Sequence, residues 1–134
     1  MPTLSNPTLN IELASNTSER LLTATVNVTF SSKEKSVMQA LGGKYRLKCH
    51  IWGKDVGEDS GTTGANDDLF ELGHRWINTD GIQTFGPEDV ASSSLDEDDQ
   101  FQDEIIARFT CKPGPLLVLG QATPVNSPKV TGSF

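Results

Sequence analysis

The stretch Arg20–Ser32, RLLTATVNVTFSS, constrains the fold more than any other part of the 134-residue chain. Leu22, Ala24, Val26, Val28 and Phe30 alternate with Thr23, Thr25, Asn27 and Thr29. A period of two, carried by β-branched residues, puts one set on a buried face and the other in water. This is the pattern of an antiparallel strand covered on one side only. A single such strand is not stable in water, so further strands and a second layer must cover its apolar face.

Other segments supply them. In Lys44–Gly53, Tyr45, Leu47, Cys49 and Ile51 point one way and Arg46, Lys48, His50 and Trp52 the other. Glu104–Cys111 puts Ile105, Ala107, Phe109 and Cys111 on one side. Shorter strands are predicted over Thr8–Ala14, Gly81–Gly86, Pro115–Gly120 and Lys129–Phe134. Lys112-Pro-Gly-Pro115 has tight-turn chemistry and predicts a hairpin between the segment ending at Cys111 and the one starting at Leu116. Leu69–Ile77 reads two ways. Leu69, Leu72 and Trp76 fall at helical spacing, but Phe70, Leu72, His74 and Trp76 alternate and Gly73 disfavours a helix, so a strand or irregular segment is preferred. Val37–Leu41 is left open between helix and strand.

No helix long enough for a parallel crossover is evident. The expected fold is all-β: one antiparallel β-sandwich of immunoglobulin-like or Greek-key type with about seven or eight strands, a β-barrel being the alternative. The immunoglobulin spacing of Cys, Trp and Cys is a poor match, because Trp52 follows Cys49 by three residues. One domain over 1–134 is expected, with polar terminal segments 1–7 and 121–134.

Charge narrows the function classes. The net charge is −7, and the acids are concentrated. Between Trp76 and Ala107 lie nine acids and no base, while the remaining nine acids face eleven bases. Nucleic-acid binding needs clustered cations, and Lys44, Arg46 and Lys48 are the densest group, so no nucleic-acid partner is expected. No apolar run approaches the roughly 20 residues of a membrane helix. MPTLSNPTLN has no basic region followed by an apolar stretch, so no signal peptide is expected and the compartment stays open.

Catalytic spacing is absent. The glycine-rich stretch from Gly57 to Gly64 fits neither a dinucleotide nor a phosphate loop. No CxxC, HExxH or nucleophile elbow occurs. His50 adjoins Cys49, so on a strand the two face opposite sides and cannot share a metal. Cys49 and Cys111 lie in the inward phase of their strands, as buried thiols or as a disulfide if their strands are neighbours. An enzyme is not expected.

One stretch invites a cation. Ser92–Ile106, SSSLDEDDQFQDEII, carries six acids without a base. It fails the EF-hand template, with Phe101 at the glycine position and Ala107 at the closing glutamate position. A loop-built calcium site is the alternative to a solvated acidic loop. Asp96, Asp98 and Asp99 would be joined by Asp59 and Asp67 if the acidic loops 55–68 and 96–104 share one end of the sandwich. Trp52 or Trp76 beside them would stack on a sugar ring. Two readings follow. The first is a non-catalytic binding or structural module, a subunit of a larger protein assembly with a protein partner or a second copy. The second is a calcium-dependent module for carbohydrate or lipid headgroups.

Overall fold

The computed structural model describes residues 1–13, 18–54, 66–95 and 103–132. Its elements are β1 (Thr3–Leu13), β2 (Glu19–Thr29), α1 (Ser32–Leu41), β3 (Tyr45–Lys54), β4 (Asn66–Ile77), β5 (Gly81–Ala91), β6 (Asp103–Pro113), β7 (Val125–Asn126) and β8 (Val130–Gly132). They form two antiparallel sheets. One has the order β1-β2-β5; the other runs β4-β3-β6, with β7 and β8 both pairing along β6. The chain is an all-β sandwich, and the sheets do not close into a barrel. β2 pairs with β5 within the smaller sheet and β3 with β6 within the larger one, so the chain crosses between sheets in the Greek-key manner.

The core is the meeting of three alternating strands. Leu22, Ala24, Val26 and Val28 of β2 face Tyr45, Leu47, Cys49 and Ile51 of β3 and Ile105, Ala107, Phe109 and Cys111 of β6, all buried. Phe85 of β5 reaches Phe109 across the layer, with ring centroids 6.2 Å apart. Cys49 and Cys111 are free thiols on neighbouring strands. Cys49 pairs with Phe109 and Leu47 with Cys111, so the cysteines are diagonal neighbours. That separation is about 7–8 Å, beyond ordinary disulfide geometry.

Bulges shift the inward phase along three strands. In β1, Asn6 and Pro7 together oppose Val26, so Leu4 points inward before the bulge and Leu9 and Ile11 after it. Pro7 is tolerated because β1 is an edge strand. The expected polar tail 1–7 is therefore largely strand. In β5 the pair Gly86–Pro87 opposes Thr23 in the same way, and the strand runs on to Ala91 instead of stopping at Gly86. In β4, Leu72 and Leu69 are the extra residues, which makes this segment a strand despite its helical spacing.

One reading left open is resolved and one expectation is corrected. Residues 37–41 end a ten-residue helix, α1, opened by a capping box. The Ser31 hydroxyl accepts from the Glu34 amide (3.1 Å), and the Glu34 carboxylate accepts from the Ser31 amide (2.8 Å). Gly42, at φ 70°, closes the helix with its amide on the Met38 carbonyl. The predicted hairpin beyond Pro113 does not form. After β6 the chain turns at Gly114, and Pro115–Gly120 has no strand; Leu117 instead packs into the core close to Gly43. Segment 121–132 returns along β6. Ser127 fills the gap between β7 and β8 by donating its amide to the Ala107 carbonyl and accepting the Ala107 amide on its hydroxyl. Among the described residues, no helix is long and apolar enough to cross a membrane.

Candidate binding face on the larger sheet

The alternation that buries one side of β3 and β6 exposes the other. Register fixes the rows of this outer face. Trp76 of β4, Arg46 of β3 and Lys112 of β6 form one row. His74, Lys48 and Thr110 form the next, then Glu71, His50 and Arg108, and then Asp68 beside Trp52. Four cations thus occupy one face of a protein of net charge −7.

Arginine and indole are layered on it. The Arg108 guanidinium lies 5.2 Å from the Trp52 ring centroid, and that of Arg46 lies 5.6 Å from Trp76. Arg108 also donates to the Asn126 side chain at 3.0 Å. The Arg46 Nε is buried with no hydrogen-bond partner. Trp76 is held at the end of its row by Gly114, whose amide donates to the Lys44 carbonyl (2.9 Å). A side chain at position 114 would meet that carbonyl at 2.8 Å and the indole at 3.0 Å.

The acids here serve the histidines. His50 Nδ1 lies 3.0 Å from an Asp68 oxygen, and His50 Nε2 lies 3.7 Å from Glu71. His74 Nδ1 donates to Glu71 at 2.9 Å. That hydrogen bond, helped by the charges of His74, His50 and Lys48, holds the Glu71 carboxyl below the usual carboxylate range against its partial desolvation. The two histidines therefore share one carboxylate on an open surface. Between β3 and β6 the face dips into a depression of about 210 Å³ lined by Lys48, His50, Trp52, Asp68, Arg108, Thr110 and Lys112. A second hollow, of about 350 Å³, opens between the edges of β4 and β5, with Leu69, Phe70, Leu72 and Val90 beside Glu71, Glu88 and Asp89.

The residues singled out in sequence are dispersed. Trp52 and Trp76 share the outer face but sit three rows apart, about 20 Å along the strands. They do not form one aromatic platform. Asp59, Asp96, Asp98 and Asp99 lie outside the described residues, as does the side chain of Asp67, whose backbone pairs with Gly53. Among the described residues, no group of three or more His, Cys, Asp or Glu is arranged to hold a metal. The roots of the acidic loops are placed, however. Lys54 pairs with both Asn66 and Glu104, so 55–65 and 96–102 both join the larger sheet at the same end. Sequence reading missed Arg108, Thr110 and Lys112 as partners of Arg46 and Lys48. Each set is visible as the wet phase of an alternating strand, but their adjacency depends on β6 pairing with β3. Comparison with protein-family models, curated proteins and solved structures found no match.

Proposed function

We propose that the protein is a non-catalytic binding module, a structural subunit of a larger protein assembly, and that the outer face of the larger sheet is its contact surface. One observation carries this reading: like charges stand directly opposite one another there. Arg46 faces Lys112, and Lys48 has Thr110 and His74 as cross-strand neighbours instead of an acid. Like charges across a sheet destabilise by a few tenths to about 1 kcal/mol, and nothing in the core requires them. An acidic partner surface turns that cost into attraction. Exposed tryptophan and arginine are also the residue types that anchor protein interfaces. Sedimentation velocity over a wide concentration range tests the reading. A species heavier than the monomer supports it; a monomer throughout, with residues 1–7 and 121–132 mobile in solution, refutes it.

A second reading is favoured by the shared root of the acidic segments 55–65 and 96–102. It makes the protein a calcium-dependent module for carbohydrate or lipid headgroups, with Trp52 at the near end of the face. Thermal unfolding with calcium and then with a chelator separates the two. Calcium at 100 times its dissociation constant stabilises a bound site by about 2.7 kcal/mol, a rise of roughly 5–11 °C for a domain of this size. No shift removes this reading.

A further inference from the structure

We infer that the partner of the basic face is a second copy of this chain, which presents the hollow between β4 and β5. The inference rests on the assembly reading and specifies its contact. Two surfaces of one molecule complement each other. The first is the Trp76 end of the larger sheet, where the half-exposed indole stands beside Arg46, Lys48 and Lys112. Lys48 and Lys112 make no hydrogen bond or ion pair with another described residue. The second is the 350 Å³ hollow, whose apolar side chains include Phe70 and Val90 and which Glu88 and Asp89 flank. Those two acids are exposed and likewise have no such partner among the described residues. A half-exposed indole beside cations and a hollow lined by both apolar side chains and acids are complementary in charge and in the residue types that interfaces use. Aromatic anchors seated in well-packed pockets are common energetic centres of interfaces, and opposite charges around them steer the encounter and fix its register.

The knob and the hollow are different surfaces that adjoin along β4, where Glu71 belongs to the outer face and also lines the hollow. Each copy offers one knob and one hollow, so copies pair either reciprocally, as a two-fold dimer, or head to tail, as a ring or a filament. This accounts for the uneven charge of the chain. A net charge of −7 repels a second copy at long range, and a local pairing of opposite patches offsets that repulsion on contact.

Charge reversal on the full chain tests it. Lys48→Glu/Lys112→Glu disables the knob surface, and Glu88→Lys/Asp89→Lys disables the hollow. All four positions are solvent-accessible, and circular dichroism checks that each variant is folded. Sedimentation is run at about 0.05 M and about 0.5 M salt, where screening of exposed charges differs strongly. The expected result is that wild type associates and is weakened by salt, and that each variant alone associates at least about tenfold more weakly. An equimolar mixture should form a one-to-one dimer and stop, because each variant keeps only one working surface. Wild type that associates while Lys48→Glu/Lys112→Glu associates equally well overturns the inference and leaves the assembly reading standing. Variants that both fail alone and do not pair when mixed overturn the contact between knob and hollow. A wild type that is monomeric throughout overturns both.

Discussion

Replacing Tyr45 with Phe tests the polar cluster that seals one end of the sandwich. Tyr45 is fully buried, its ring 5.2 Å from that of Phe30, and its hydroxyl lies 3.1 Å from both the Glu34 carboxylate and the Gly120 carbonyl. A phenol has one hydrogen, so only one of these acceptors is served at a time, and the carboxylate is the stronger. Glu34 is 2% exposed and accepts also from the Ser31 amide, with the Met1 amino group 3.3 Å away. Burial pushes its pKa up, but these hydrogen bonds outweigh burial and hold it below the ordinary value of 4.5. Tyr45→Phe keeps the ring contacts and deletes one hydrogen bond to a charged group, a loss of about 1.5–3 kcal/mol. At roughly 2–4 °C per kcal/mol, the melting temperature should fall by about 3–12 °C. The pH dependence is the sharper readout. A carboxylate with a depressed folded pKa contributes stability that is present above its unfolded pKa and is lost as pH falls through the folded value. The wild-type advantage over Tyr45→Phe should therefore be full near neutrality and shrink towards a neutral hydrogen bond, about 1 kcal/mol, in acid. Urea unfolding of both proteins at neutral and acid pH measures it. An advantage that does not change with pH, or that is under about 0.5 kcal/mol at neutrality, refutes the charged cluster.

The remaining predictions concern the helix cap, the interrupted edge and the thiols. Ser31→Ala removes the acceptor for the Glu34 amide and should destabilise by about 1 kcal/mol in urea unfolding; no change would mean that the cap is dispensable. Ser127→Ala leaves the buried Ala107 amide without the hydroxyl it donates to at 2.9 Å, a loss of about 1–3 kcal/mol. Hydrogen exchange at Ala107 should speed up, and unchanged exchange would show that another group takes over. Cys49 and Cys111 are buried, and burial pushes both thiols up to about 12. A thiol reagent near pH 8 should label them only as fast as the sandwich opens. Labelling at the unfolded rate without denaturant would refute the packing of the larger sheet against the smaller one.

The strands that were legible in sequence are the central ones. β2 and β3 keep one unbroken period of two because each pairs on both sides with one face buried, and β6 departs from it at Ile106, which is buried on the outer side opposite Trp52. Edge strands were harder to read, and bulges explain why. In β4 the outward residues are Asp68, Glu71, His74 and Trp76, spaced three, three and two, because Leu69 and Leu72 are extra residues in the ladder. That spacing imitates a helix without being one. The real helix had a readable signature, Ser31-x-x-Glu34 followed by Gly42, which a search for apolar periodicity alone passes over. The same logic governs the face. Alternation tells that Arg46, Lys48, Arg108 and Lys112 are wet, but not that they are neighbours, because pairing between segments some 60 residues apart is a tertiary fact. What makes this face informative is that the core does not dictate it. The inward residues of β3 and β6 are dictated by the core, whereas the outward ones could have carried any soluble residue. Four cations on one face, only some of them engaged by neighbouring tryptophan or Asn126, are the feature on which the proposed acidic partner rests.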